Sequence, residues 1–414
     1  MKPVTLAIVG AGSRGAGYAT YAEAHPDMAQ VTAVAEPREH YRDHIADTYS
    51  VAPERVFSDW RQLADQPRLA DAALICTQDA MHVEPAVALA AKGYDLLLEK
   101  PMAPDEAGCR QIVEAAVEAG VIFAVCHVMR YTTYTQALKK MLDDGLIGEV
   151  VSLQHLEPVG SWHQAHSFVR GNWGNEAASS PMLLAKSCHD LDWLRYVMGE
   201  SCESIQSFGT LVHFRAEERP ATAGERCLEC EYEPQCPYSA KRIYLGRVEK
   251  GHTGWPVNVL TPDTTTEGVT EALRTGPYGR CVYACDNDVV DNQVVNILFR
   301  GGKTASFCME GLSQGGHRKT YLFGTRGQIY GDGRYLKRFD FLTEETETVD
   351  TEAGDASILG GHGGGDLGLM QSFVEAVAHR DQSRVLSGPK ETLETHLMVF
   401  AAEKSRRQNS VVTM

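Results

Sequence analysis

The feature that most narrows the folds open to this chain is Gly10-Ala11-Gly12-Ser13-Arg14-Gly15, placed directly after the apolar run Val4 to Val9. Three glycines at this spacing between a predicted strand and a predicted helix have a physical reading. Gly10 permits the tight turn, Gly12 lets the backbone approach a pyrophosphate, and Gly15 allows close helix-to-strand packing. Glu36 ends the next predicted strand, where a carboxylate accepts hydrogen bonds from adenosine ribose hydroxyls and repels a 2'-phosphate. The pattern predicts a dinucleotide site for NAD rather than NADP, built from Gly10, Gly12, Ser13, Arg14, Gly15 and Glu36. Arg14 and Arg38 are the residues that would argue for NADP, Arg14 also being a candidate to lie over the adenine or pair with a phosphate.

Strands and helices alternate after this motif. Val31 to Ala35, Ala72 to Cys76, Asp95 to Leu98 and Val121 to Val125 read as strands, and Arg38 to Tyr49, Glu84 to Lys92 and Asp105 to Ala119 as helices. Such alternation predicts an α/β fold with an N-terminal Rossmann doubly wound parallel sheet, over residues 1–125. From 126 to 414 the pattern shifts to helices at Tyr134 to Asp144, His189 to Val197 and Leu367 to His379. Strands are expected at Glu149 to Glu157, Ile205 to Phe214, Gln293 to Phe299, Thr304 to Glu310, Lys319 to Phe323 and Gln328 to Gly331. This predicts a C-terminal α+β domain with a mainly antiparallel sheet. Residues 215–291, rich in Cys, Pro and Gly, read as an excursion with little periodicity and no core of its own. Gly360 to Gly365 reads as a mobile loop.

The net charge of -16 opposes nucleic acid and anionic membrane as partners. No apolar run approaches the roughly 20 residues that cross a bilayer, and the start at Met1-Lys2-Pro3 lacks the pattern of a secretory signal. The expectation is a cytoplasmic, homo-oligomeric protein acting on a small molecule. Eleven cysteines, an odd number, argue against a disulfide framework in that compartment. Cys227, Cys230, Cys236 and Cys281 are candidates for a structural zinc that staples the excursion, with free buried thiols as the alternative.

Glu99-Lys100-Pro101 closes the strand Asp95 to Leu98, and open α/β sheets place ligands at the carboxyl ends of their strands. Thr77 and His82, beyond the preceding strand, and Glu99, Lys100 and Arg130 are added to the cofactor site. Together, Gly10 to Gly15, Glu36-Pro37, Glu99-Lys100-Pro101 and His189-Asp190-Leu191-Asp192 resemble the glucose-fructose oxidoreductase, inositol dehydrogenase and rhizopine catabolism (Gfo/Idh/MocA) family. The resemblance covers both domains apart from the Cys-rich excursion. It implies that Lys100 lies near the nicotinamide and the reacting hydroxyl, and that His189 is the proton acceptor with Asp192 on the same helical face. Chemistry asks for such groups: hydride leaves a carbinol carbon only as its hydroxyl loses a proton. Ala185 stands where many members carry an aspartate, so Lys186 or Asp192 is expected to share the acid–base work.

The substrate wall is expected from Tyr131, Trp162, His163, His166, Arg170, Trp173 and Lys186, an aromatic and hydrogen-bonding set suited to a carbohydrate. If Lys186, Arg170 and His163 converge, an anionic sugar such as a uronate or sulfo-sugar becomes attractive. The leading function is an NAD-dependent oxidoreductase acting on a secondary hydroxyl of a sugar or cyclitol. One alternative is an oxidoreductive glycosidase that returns its hydride after elimination and hydration. Another is a non-catalytic sensor of NAD or sugar.

Overall fold

The computed structural model describes residues 2–351 and 363–414. Six parallel strands form the first sheet in the order β3-β2-β1-β4-β5-β6. They are β1 (Val4–Val9), β2 (Ala29–Ala35), β3 (Val56–Phe57), β4 (Ala72–Ile75), β5 (Asp95–Leu98) and β6 (Phe123–Val125). All residues of β4 and β5 are buried, as expected of strands covered on both faces. Strand alternation divides the core into two layers. Leu6, Ile8, Leu74 and Leu97 face one, with Tyr18 and Tyr21 of α1 (Ser13–Ala24); Ala7, Val9, Ile75 and Leu98 face the other. That second layer is completed by Ala86 and Leu89 of α2 (Val83–Ala91) and Ile112 of α3 (Glu106–Ala119). At the start of α3, Asp105 accepts the Gly108 N–H at 2.8 Å, and the helix ends at Gly120 in the left-handed conformation.

Nine strands make the second sheet: β7 (Val150–Pro158), β8 (Cys202–Thr210), β9 (Asn292–Phe299), β10 (Thr304–Glu310), β11 (Lys319–Gly324), β12 (Gly327–Gly331), β13 (Tyr335–Asp340), β14 (Thr346–Asp350) and β15 (Val412–Thr413). Their order is β14-β13-β12-β11-β7-β10-β9-β8-β15, antiparallel except where β7 and β10 run side by side. Leu153, Ile205, Val295 and Phe307 cover one face of this sheet with Leu191, Trp193 and Leu194 of α4 (Cys188–Met198). The predicted α/β plus α+β architecture is the observed one.

Two helices close the chain. On α5 (Gly365–His379), Leu369 and Phe373 pack into the Rossmann layer that holds Tyr18. The second, α6 (Pro389–Gln408), is not among the expected elements, because its buried face mixes Thr392, Thr395, His396, Glu403 and Ser405 with Met398, Val399 and two alanines, which blurs the apolar period. It joins the two halves: Met398 and Val399 enter the core of the second sheet, Leu393 packs on the Rossmann side, and the Met102 N–H donates to His396 Nε2 at 3.0 Å.

The excursion at 215–291 differs from its reading. It has a core of its own, in which Phe214, Tyr238, Tyr244, Val269 of the helix Thr266–Thr275, and Val282 pack together with Val169. Short turns and aromatic side chains bury this surface without helical or strand periodicity, so no pattern in the sequence announces it. The glycine run read as a loop falls partly outside the described residues, at 360–362; Gly365 already begins α5. Among the described residues no helix is long and apolar enough to cross a membrane.

Candidate active site

The glycine turn forms because only glycine fits it. Gly10 has φ +90°, and a Cβ there would lie 2.6 Å from the Cys76 carbonyl oxygen; a Cβ on Gly15 would lie 2.0 Å from the Gly10 oxygen. The backbone is thereby drawn tight between β1, β4 and α1. No side-chain cap closes α1 at Gly12, so its first N–H groups are presented at the strand ends, the arrangement that holds a pyrophosphate. Glu36 reaches this turn from β2, where Oε2 accepts the Ala11 N–H at 2.8 Å and Oε1 accepts from Arg38 Nε at 2.7 Å. Burial opposes its ionisation, yet these donors hold the carboxyl below the usual range. The cradle and the ionised acid fit an adenine dinucleotide. Arg38 is paired with that acid, and its guanidinium lies over the Tyr41 ring.

Arg14, expected over the adenine or on a phosphate, is committed to protein carboxylates instead. Its guanidinium bonds Glu99 and Asp366 of α5, each at 2.6 Å, and also the Tyr18 hydroxyl. Glu99 accepts in addition from Tyr18 at 2.9 Å and from the Lys100 N–H at 2.7 Å. The acid of Glu-Lys-Pro is therefore a buried anchor that orients the lysine beside it. His82 is likewise structural: its ring nitrogens lie 2.9 Å from the Pro101 oxygen and 3.0 Å from the Thr77 oxygen, clamping two strand-end loops. Thr77 contributes that carbonyl and bonds the Met81 oxygen through its hydroxyl.

Lys100 projects from the end of β5 into the second domain, where Nζ donates to the Ala185 carbonyl at 3.0 Å. Ala185 ends a single turn, Met182–Ala185, that leads into α4 and to His189 on its first turn. The His189 ring meets that of His127 edge-on at 5.7 Å, and His189 is 7% exposed, at the floor of the site. Burial pulls His127 down to about 3, against the attraction of Asp192, so this ring is neutral and cannot share charge with His189. Asp79, from the loop after β4, completes the rim. Burial raises its carboxyl against the opposing pull of His82 and Lys100, with the Trp173 side chain among the lesser influences that lower it.

Lys186 pairs with Glu157 at 3.1 Å, and Glu157 with Arg318 at 2.9 Å; Arg318 also bonds Asp190, whose other partner is His155 at 3.2 Å. Burial, and then the Lys186 charge, pull the neighbouring His163 down to about 3. His163 stacks with Trp162, and both rings meet Trp255 of the excursion at 5.1 Å and 5.2 Å.

Several expected site residues are placed elsewhere. Asp192 is gripped by Arg130 through two bonds of 2.7 Å and by Thr395 at 3.0 Å. Asp192 and Arg130 are both buried and paired with each other, and Asp192 Oδ1 lies 3.6 Å from His127 Nε2. The Tyr131 hydroxyl is held by Ser387 Oγ and the N–H groups of Leu386 and Ser387. His166 bonds Tyr244 at 2.8 Å and stacks on Tyr278, and Arg170 bonds the carbonyls of Arg280 and Tyr238, both within the excursion. Lys186, Arg170 and His163 therefore do not converge, and the arrangement expected for an anionic sugar is not formed. Asp79, His127, Glu157, Arg318 and Trp255 were not expected. Asp79 sits two residues beyond Thr77 at a strand end, a signal available in the sequence; the others come from distant segments.

Fold and site together define a two-domain oxidoreductase with an NAD-binding Rossmann domain. The chain belongs to the Gfo/Idh/MocA oxidoreductase family: the model described as "Oxidoreductase family, NAD-binding Rossmann fold" matches residues 4–127, and "Oxidoreductase family, C-terminal alpha/beta domain" matches residues 139–414. It is 31% identical over 203 residues to inositol 2-dehydrogenase of Streptomyces avermitilis, covering 48% of this chain and 54% of that one. Similarity to 2,7-anhydro-N-acetylneuraminate hydratase of Escherichia coli is 27% over 208 residues, covering 50% and 52%. The chain spans about half the length of these two curated relatives. Among solved structures, levoglucosan dehydrogenase in complex with NADH and L-sorbose superposes with a TM-score of 0.72 at 17% identity, covering 100% of this chain and 99% of that one.

Proposed function

We propose that this protein moves a hydride between NAD and a secondary hydroxyl of a sugar or cyclitol held between its two domains. The observation that carries the reading is the reach of Lys100 from the Rossmann strand end to Ala185, four residues before His189. On this reading an ammonium from the Rossmann domain and an imidazole from the second domain serve one substrate. NAD, when bound, supplies the two-electron acceptor or donor. Lys100 steadies the developing alkoxide through its charge, and His189 takes the hydroxyl proton. Asp79 and Lys186 orient the remaining hydroxyls, and Trp162, Trp173 and Trp255 offer ring faces to C–H surfaces. Glu36 supports NAD over NADP. The inositol and levoglucosan dehydrogenases among the similar proteins support a polyol or sugar substrate.

The test is a panel of sugars and cyclitols assayed for NAD reduction with wild type, Lys100→Met and His189→Ala. Loss of general acid–base help costs about 100-fold to 10,000-fold, so both variants are expected to fold and bind NAD yet lose at least the lower factor. Near-normal turnover in both would place the chemistry on other residues.

The hydratase relative supports a second reading, in which the same first oxidation opens an elimination and hydration cycle on a glycoside. Cleavage of a nitrophenyl glycoside by protein with retained NAD, without accumulation of NADH, would select it. Absence of any turnover despite NAD binding would instead favour a sensor.

A further inference from the structure

Cys227, Cys230, Cys236 and Cys281 play no part in hydride transfer, yet the fold brings them to one place. All four line a single cavity of about 10 Å³, with Arg170 among the other lining residues. Two turns deliver the first three: Cys227 opens Cys227–Glu229, Cys230 follows it, and Cys236 follows Glu233–Gln235. The antiparallel bridge between Arg226 and Arg280, with the Cys281 N–H on the Glu225 oxygen at 2.8 Å, sets Cys281 beside Cys227 across 54 residues of chain.

Two of the sulfurs are met by an N–H donor: Gly224 N–H donates to Cys230 at 3.2 Å and Arg170 Nη2 to Cys227 at 3.4 Å. A thiol is a weak acceptor, whereas a thiolate is a strong one, so these two donors suit sulfur that carries charge. Arg170 makes the same demand independently. It is 3% exposed, its Nη1 has no hydrogen-bond partner, and among the described residues no carboxylate lies within ion-pair distance of it. A buried guanidinium without an anion is costly, and the neighbouring sulfurs are the groups that can provide one.

We propose that these four cysteines bind one zinc ion as thiolates, and that Arg170 balances the excess negative charge of the resulting centre. Four thiolates alone would repel one another in so small a space. A dication with a preference for sulfur in tetrahedral array removes that repulsion, and four protein ligands leave no open position, so the centre is structural. As the side chains stand, no three of the described His, Cys, Asp or Glu residues are arranged to hold a metal. Zinc binding as proposed requires the cysteine side chains to turn inward and to release their protons to solvent. The centre would tie the two halves of the excursion together and, through Arg170, hold the segment Gln164–Arg170 that follows Trp162 and His163.

The experiment uses the full chain, purified without chelator or metal-affinity tag. Elemental analysis is expected to find about one zinc per chain, lost together with thermal stability on treatment with a strong chelator under reducing conditions and regained on adding zinc. Cobalt added to the stripped protein should give the visible absorption of a tetrahedral thiolate site, a readout that does not depend on any variant folding. Cys227→Ser with Cys281→Ser should abolish that band. The proposal is overturned if the reduced protein is metal-free with stability indifferent to zinc, if cobalt gives no such band, or if alkylation and mass analysis find these cysteines paired as disulfides in protein from the cytoplasm.

Discussion

Arg130 and Asp192 lie face to face in the interior, joined by two parallel bonds of 2.7 Å from Nε and Nη2 to the two carboxylate oxygens. Burial opposes both charges, but the Arg130 charge keeps the Asp192 carboxyl below its usual range. The pair connects the segment after β6 to α4, while Thr395 adds α6 to the same carboxylate.

Breaking this pair should therefore act on stability before chemistry. Asp192→Ala leaves a guanidinium buried without its partner, a change that typically costs about 3–5 kcal/mol. Urea unfolding is expected to show a loss of that order. A variant as stable as wild type but catalytically dead would instead return Asp192 to the reacting groups.

Glu36 governs coenzyme choice in the proposed site. Glu36→Ala removes a charged acceptor, with hydrogen bonds of this kind worth about 1.5–3 kcal/mol, and also frees Arg38 to meet a 2'-phosphate. NAD affinity measured by fluorescence titration should fall about 10-fold to 100-fold, while NADP binding improves relative to NAD. Unchanged affinity for both would remove Glu36 from the ribose site.

A Cβ at residue 15 has nowhere to go, since the Gly10 oxygen is backbone and cannot rotate away. Gly15→Ala must lift α1 from the turn, at a cost of about 1–3 kcal/mol for an overpacked contact. Loss of NAD affinity should accompany the fall in melting temperature, because the N–H groups move with the helix. Retained binding at wild-type stability would contradict the tight packing.

Histidines set the acid limit above the range where carboxylates titrate. Burial holds His127 and His163 near 3 and His396 near 4, against about 6.5 in an unfolded chain. Below about pH 6.5 the unfolded chain thus binds more protons than the native one, so stability falls as pH falls, and continues to fall until the native rings themselves protonate. The expected slope approaches about 1.4 kcal/mol per pH unit for each ring well below pH 6.5. Unfolding midpoints measured from pH 7 to pH 5 should decline, and His127→Gln should flatten the decline. A pH-independent midpoint over that interval would show that these rings accept protons in the native state.

Local physics made much of this protein legible from its residues alone. The glycine turn, the buried strands β4 and β5, and Lys100 at a strand end follow from short-range sterics and apolar runs, which act within a few residues. The shift to a second sheet was legible for the same reason. What tertiary structure decided was the partner of each charged side chain. Lys186 meets Glu157, Arg14 meets Glu99 and Asp366, and Arg130 meets Asp192 across 29 to 352 residues of chain. Such pairings depend on how helices and sheets dock, which no spacing in the sequence records. Helix α6 shows the same division: its buried threonines and His396 make sense only once the second domain and the Met102 N–H stand against them. The four cysteines were recognisable as a set, but only the fold of the excursion brought Cys281 beside Cys227 and set Arg170 against the Cys227 sulfur.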